Sequence, residues 1–308
     1  MIKLFTHCAD PDGLGSAVLL DLISKDTSLT LCKGIKELDQ KLTEFITKKE
    51  YQQFDNIYIT DLCPSNEVLE LIASCPPLKQ KVLIFDHHQT SLDKITKDYE
   101  FLTLKVKKDN VPCCGTSLFY EYLLKEIKAK LLTKKIVSDF VEKTRLHDTW
   151  EWVVSNDLDA FNLQTLFQVL GSYGYKYHMA NKLQNEDKFI YTANEKQMIK
   201  EQEIQNQEQV ETLANEIYST EYNGLKVAIV LGSYNIRNNL AEYLKQNKPE
   251  FAILMLIAVD NKSVSFRSLK SNVEVRSLAE KFGGGGHQEA ASCPLKNVEP
   301  MMLSRILK

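Results

Sequence analysis

The sequence predicts an α/β protein: a mostly parallel sheet with helices on both faces, a long connector helix, then a smaller α/β domain with a mixed sheet. Three observations predict it. Apolar runs suited to strands alternate with stretches of helical apolar spacing over the first half, which is the pattern of a parallel sheet with right-handed crossovers. A helical but increasingly polar stretch, with few apolar residues over 195–209, then ends that alternation. Beyond it, residues 251–259 and 263–269 read as strands joined by Asp260-Asn261-Lys262, a hairpin turn. At 308 residues the chain exceeds the usual size of one domain. The expected division is a first domain over 1–185, a helical linker over 186–220 and a second domain over 221–308.

Each element has its own signal. The apolar run 2–5 leads into Thr6-His7-Cys8-Ala9-Asp10-Pro11-Asp12-Gly13, and residues 17–23 follow with helical spacing, so strand, tight turn and helix are expected. Residues 29–33 read as a short strand, 37–49 as a helix with apolar positions at 38, 42, 45 and 46, and 56–60 as a strand ending at Asp61. Pro64-Ser65 suits the first turn of a helix through 74. Residues 81–85 form a third apolar strand that runs straight into Asp86-His87-His88, and 101–106 is a further strand. A helix opens near Cys114-Gly115-Thr116-Ser117, with Thr116 or Ser117 in the N-cap position and a phosphate contact at that helix terminus as the alternative. Another helix runs over 133–145 and leads to Asp148-Thr149-Trp150-Glu151-Trp152, where both Trp read as packing that holds Asp148. The pattern over 156–218 is helical. In the last part, 225–231 is a strand, 235–246 a helix and 273–282 a helix before Gly283-Gly284-Gly285-Gly286-His287.

Composition narrows the class. Hydrophobic residues are 44% and charged residues 26% of the chain, as in an ordinary globular protein. A net charge of −3 excludes a globally basic protein while leaving room for a local basic cleft. No apolar run approaches the ~18–20 residues of a membrane span, and the N-terminus lacks a secretory signal. Seven cysteines without a CxxC pair argue for reduced thiols in a cytoplasm and against a structural zinc site.

The chemistry lies in the carboxylates and imidazoles gathered at strand ends. His7, Asp10, Asp12, Asp61 and His87 fall at the C-terminal edge expected of a parallel sheet, where such sheets bind ligands, and Asp148 joins them from the helical part. Asp10 and Asp12 by themselves read also as turn and N-cap residues. Carboxylates and imidazoles favour hard or borderline divalent cations such as manganese. So many carboxylates on one edge repel one another unless cations neutralise them, and two metals ~3.5–4 Å apart suit a phosphoryl displacement.

In order along the chain, HxxDxDG, a strand-terminal Asp, Asp-His-His, a later Asp and a C-terminal GGGH resemble the DHH phosphoesterase superfamily with its C-terminal DHH-associated domain. The Asp148–Trp152 run, the connector and the VSFRS strand resemble the NrnB-like oligoribonuclease (nano-RNase) subgroup. The resemblance implies that His7 and Asp10 hold one manganese, Asp12 and Asp148 hold the other, Asp61 bridges both, and His87 is a further ligand. It gives His88 the phosphate or leaving group and Asp86 the task of orienting an imidazole. Arg267, Gly284, Gly285, Gly286 and His287 correspond to the part that holds substrate. Taken by themselves, Gly283 to His287 read as a flexible hairpin or a helix C-cap and Arg267 as a solvated strand residue. Two residues separate His7 from Asp10, where relatives have one or three, so either the loop adjusts around Pro11 or the register shifts at Cys8 or Ala9.

The implied activity is hydrolysis of short oligoribonucleotides to nucleoside monophosphates by a water activated between two Mn2+ ions, with Mg2+ or Co2+ as substitutes. Adenosine 3′,5′-bisphosphate, linear or cyclic dinucleotides and cyclic mononucleotides are alternative substrates, since all present a phosphoester to the same metals. A non-catalytic nucleotide sensor is the reading from another class. The expected partner is a short RNA or nucleotide, without membrane contact, and a homodimer is compatible with the sequence.

Overall fold

The computed structural model describes residues 1–298 and divides into two compact units, Met1–Ile199 and the chain from Lys200 onward. The first is built on five parallel strands in the order β2-β1-β3-β4-β5, with β1 Ile2–His7, β2 Thr27–Cys32, β3 Asn56–Thr60, β4 Val82–Asp86 and β5 Leu102–Leu104. Parallel strands are covered on both faces, so their side chains divide between two cores. Leu4, Tyr58 and Phe85 face one core and Phe5, Ile59 and Ile84 the other. In-register pairing of Phe5 with Ile59 and of Ile59 with Ile84 keeps each alternation on its own side.

The first core is closed by four helices: α1 Pro11–Ile23, α4 Gly115–Glu126, α5 Lys135–Asp148 and α6 Leu158–Asn185. The second is closed by α2 Ile35–Thr47 and α3 Asn66–Ala73. Buried Leu38, Leu42 and Phe45 recur at helical spacing along one face of α2, as its sequence pattern predicts. Strand order reverses between β1 and β3, so the loops after β1, β3 and β4 open into one crevice, where doubly wound sheets bind ligands.

Three local expectations are corrected. The N-cap of α4 is Cys114, whose Sγ accepts from Ser117 N at 3.4 Å. Thr116 and Ser117 lie inside the first turn, because Thr116 is drawn to Asp12 instead. The helical run expected over 156–218 is three pieces. α6 is interrupted at Gly171 (φ 64°, ψ 173°), a new helix α7 Ala193–Asn215 begins afterwards, and residues from 218 form a strand. The restart is encoded by a reciprocal cap, in which Thr192 N donates to Glu195 Oε2 at 2.6 Å and Glu195 N to Thr192 Oγ1 at 3.2 Å. Buried Glu195 also takes Lys182 Nζ at 3.0 Å and His178 Nε2 at 2.7 Å. The helix expected over 273–282 spans Arg276–Glu280 only.

The second unit is a six-stranded mixed sheet in the order β10-β11-β9-β8-β7-β6. Its elements are β6 Tyr218–Tyr222, β7 Leu225–Leu231, α8 Arg237–Asn247, β8 Ile253–Ala258, β9 Ser263–Ser268, α9 Arg276–Glu280, β10 Gly285–Gly286 and β11 Ala290–Pro294. Strands β7 and β8 are parallel and the other pairs antiparallel, with the expected hairpin joining β8 to β9. Helix α8 covers Ala228, Val230, Leu254 and Leu256 on one face, and α9 covers Val264, Phe266 and Cys293 on the other. Among the described residues no helix is long and apolar enough to cross a membrane.

Phe119, fully buried in α4, lies with its ring centroid 5.0 Å from Tyr58 and 5.3 Å from Phe85, so it ties the helix to two strands. Phe119→Ala is expected to destabilise the first unit by about 3–5 kcal/mol, read as a lowered urea midpoint in equilibrium unfolding.

Candidate metal centre

The ends of β1, β3 and β4 place His7, Asp61, Asp86, His87 and His88 side by side because the strands are parallel and in register. His7 Nδ1 is 3.0 Å from Asp10 Oδ2 and 3.4 Å from Asp61 Oδ2. Of the two ways to absorb the unusual spacing after His7, the loop adjusts. Asp10 accepts from Gly13 N at 3.0 Å as the N-cap of α1, with Pro11 following in the first turn, and its other oxygen is left against His7. Asp10 is thus the capping residue of one reading and a member of the cluster of the other.

Asp61 sits at the centre. It lies just past β3 with φ 59°, a left-handed conformation that costs about 1–3 kcal/mol in a non-glycine residue and persists where the surroundings impose it. Its backbone N donates to Phe85 O at 2.9 Å, and its Oδ1 lies 3.2 Å from His87 Nε2. The same His87 nitrogen is 3.4 Å from Asp148 Oδ2 and 3.6 Å from Asp12 Oδ2. Asp148 arrives as the last residue of α5. Asp86 Oδ1 accepts from His88 Nδ1 at 2.7 Å, fixing the ring.

Asp12 is anchored by a device not read from sequence. Its two oxygens accept from Gly115 N at 2.7 Å and Thr116 N at 2.8 Å, the first amides of α4, and Thr116 Oγ1 donates back to Asp12 O at 2.6 Å. A carboxylate at a helix N-terminus satisfies orphan amides and meets the positive end of the dipole. The approach is close enough to require glycine. A Cβ at Gly115 would stand 2.8 Å from Asp61 Cβ and 2.9 Å from its backbone. A glycine at the first position of a helix was the available signal.

Five carboxylates and three imidazoles in so small a volume separate in acidity. Burial disfavours ionised Asp61, yet hydrogen bonds from His7 and His87 hold it well below the usual carboxylate range. Burial also opposes the charged forms of His7 and His87, but the carboxylates of Asp10 and Asp148 respectively outweigh it and raise both well above an ordinary imidazole. Burial, then the charge of Asp61, pushes Asp12 up, and Asp148 rises to about 6 with burial as the largest cause. Asp148 Oδ2 is buried and makes no hydrogen bond. Such an arrangement carries more negative charge than its own imidazoles neutralise.

The donor atoms fall into three groups, each within 4.8 Å: His7, Asp10 and Asp61; Asp61, His87 and His88; and Asp12, His87 and Asp148. The orphaned oxygen of Asp148 and the all-carboxylate-and-imidazole donor set fit hard or borderline divalent cations.

The second unit carries the remaining candidates. Gly285 and Gly286 form β10 and pair with Ser292 and Ala291 of β11, so the second half of the glycine run is a strand and the first half caps α9. Gly286 has φ 140°, and a Cβ there would stand 2.6 Å from Ala290 O. Gly284 N donates to Ala279 O at 3.0 Å, closing the end of α9, and His287 N donates to Ala290 O at 2.8 Å. Arg267 is buried on β9, where its Nε donates to Asn238 Oδ1 at 2.9 Å. Arg237, missed in the sequence, is buried on α8, with its guanidinium carbon 3.8 Å over the Tyr234 ring and Nε without a hydrogen bond. Burial, then the charge of Arg237, pulls Arg267 down to about 9. No ion pair to either arginine is present among the described residues.

The family model described as "DHH family, N-terminal domain" matches residues 1–141, and that described as "DHHA1 domain" matches 232–308. The chain belongs to the DHH family. Over 297 residues it is 26% identical to the oligoribonuclease NrnB of Bacillus subtilis, covering 96% of this chain and 73% of that protein. A 109-residue stretch is 31% identical to the A-adding tRNA nucleotidyltransferase of Aquifex aeolicus, 33% of this chain and 13% of that one. Among solved structures, the DHH domain of a member of the S1p family of ribosomal proteins shares the fold with a TM-score of 0.55 and 15% identity, covering 100% of this chain and 86% of that one. This DHH-family chain is a metal-dependent phosphoesterase.

Gly115→Ala is expected to destabilise the chain by about 1–3 kcal/mol through overpacking and to weaken divalent-metal binding. Gly174→Ala, with only Leu170 Cβ at 3.4 Å, is the control. Thermal unfolding and metal titration calorimetry of the two variants give the comparison.

Proposed function

We propose that this chain hydrolyses phosphodiester bonds in short oligoribonucleotides, releasing nucleoside monophosphates, with two Mn2+ ions as cofactor. The observation that carries the reading is the pair of donor groups His7–Asp10–Asp61 and Asp12–His87–Asp148, linked by the contact of Asp61 with His87 at 3.2 Å. A relative named as an oligoribonuclease, similar over 96% of the chain, supports the substrate class.

In this reading His7 and Asp10 would hold one ion and Asp12 and Asp148 the other, with Asp61 and His87 as further ligands. Bound cations supply charge neutralisation at the phosphoryl oxygens and a water acidic enough to attack phosphorus. The chain's own residues do the rest. Gly115 N and Thr116 N fix the direction of the Asp12 carboxylate. Asp86 holds His88 by Nδ1, leaving Nε2 as the ring atom that meets the phosphate or passes a proton to the leaving oxygen. In the second unit the segment Gly284, Gly285, Gly286 and His287 lies against the nucleotide, and Arg267 offers a guanidinium to phosphate.

Incubation of the purified chain with RNA of about two to five nucleotides, and with adenosine 3′,5′-bisphosphate, is expected to release mononucleotide or phosphate with Mn2+ and none with a chelator. No product from either substrate with Mn2+, Mg2+ or Co2+ would overturn the reading, and tight nucleotide binding in that case would point to a sensor. Asp61→Ala is expected to lower turnover by about 10³-fold or more, since metal-ion catalysis contributes several kcal/mol, and to weaken metal binding with it. Asp86→Asn, which alters the carboxylate bonded to His88 Nδ1, should lower turnover by about 10–100-fold while the chain stays folded, as followed by initial rates and circular dichroism.

A further inference from the structure

Tyr175 is a buried polar group that the proposed reaction does not use. It is fully buried, and its hydroxyl has no hydrogen-bond partner. An orphaned buried hydroxyl is costly, because its water is lost and nothing replaces it, so native chains seldom keep one without a use. The ring itself is well packed, edge-on to Phe167 with centroids 5.6 Å apart.

The placement of Tyr175 follows from the break in α6. After Gly171, Ser172 Oγ donates to Cys8 O at 3.0 Å, inside the loop that joins His7 to Asp10. Four residues on, Lys176 Nζ meets Asp21 Oδ2 of α1 at 2.7 Å, and Gln184 Nε2 donates to Asp21 O at 3.3 Å. Residues 172, 175 and 176 share one helical face. That face therefore lies along the His7–Asp12 loop at one end and on α1 at the other, with Tyr175 between the two anchors. The charges of Asp10 and Asp12 both reach its hydroxyl and, after burial, raise its pKa further.

We propose that Tyr175 is a positioning residue for the metal centre: in the metal-loaded enzyme its hydroxyl donates a hydrogen bond to the carboxylate of Asp10, directly or across one water. This rests on the reading of His7, Asp10 and Asp12 as metal donors. Asp10 has one oxygen engaged by Gly13 N and the other beside His7 Nδ1. When a cation draws on that second oxygen and on His7, the carboxylate needs a donor to keep its orientation, as metal-bound carboxylates commonly do. Tyr175 is the buried donor on the packed side of the loop with a proton to give. The break at Gly171 is what turns this face of the helix toward the loop.

Tyr175→Phe removes the hydroxyl and keeps the ring. In the metal-free full-length chain it is expected to leave the thermal midpoint unchanged or to raise it, because the lost hydroxyl had no partner. With Mn2+ it is expected to weaken binding about tenfold by titration calorimetry and to reduce the metal-induced rise in midpoint. Ser172→Ala is the companion variant and should weaken Mn2+ binding through the same loop. A lowered metal-free midpoint for Tyr175→Phe, or Mn2+ affinity equal to that of the unaltered chain, would overturn the proposal. If the unaltered chain binds Mn2+ but cleaves no RNA, the proposed function fails while the affinity comparison still decides Tyr175. If the unaltered chain binds no divalent ion, both readings fall.

Discussion

The structure depends on one buried carboxylate held where it is conformationally costly. Asp61 leaves β3 in a left-handed conformation, bonds by its amide to Phe85 O, and meets His7 on one side and His87 on the other. That backbone is tolerated by aspartate, as by few other non-glycine residues, but at a steric cost. It is imposed by the in-register strands β1, β3 and β4 and by Gly115, whose missing side chain is the room Asp61 occupies. Strand order, helix placement and the chemistry of the cluster therefore meet at one residue.

Around it, acidity is distributed by position. Asp61 lies between two imidazoles and stays ionised, whereas burial first, and then Asp61 as a like charge, pushes Asp12 and Asp148 up. Helix amides at the start of α4 offset part of that strain at Asp12 but none of it at Asp148, whose Oδ2 has no hydrogen bond. A cluster so divided is built for cations: binding one replaces repulsion by attraction at every carboxylate together. The second unit shows the opposite sign, with Arg237 and Arg267 buried, mutually repelling and without ion-pair partners among the described residues.

Much of this was legible in the chain. Strand-terminal Asp and His after apolar runs place the cluster at one sheet edge without coordinates, because the C-terminal ends of parallel strands share that edge. The α2 helix was readable from the spacing of Leu38, Leu42 and Phe45. The break in α6 was not, since apolar periodicity continues across Gly171 and only the docking of Ser172 on Cys8 O requires a change of direction. The N-cap of α4 was misread for a related reason. Local preference favours Thr or Ser, but Thr116 is captured by Asp12, some hundred residues away in sequence, and Cys114 takes the capping role.

By itself, then, the sequence determined the α/β class, the strand ends that carry His7, Asp61 and Asp86-His87-His88, and the donor chemistry suited to hard cations. These follow from periodicity and residue type, which are local. Tertiary structure alone decided how the His7–Asp10 loop closes, what anchors Asp12, why residue 115 is glycine, and which polar atoms, the Tyr175 hydroxyl and Arg237 Nε among them, lie buried without a hydrogen bond. Each of those depends on surfaces that meet only after the chain has folded, and pattern along a chain carries no distance between them.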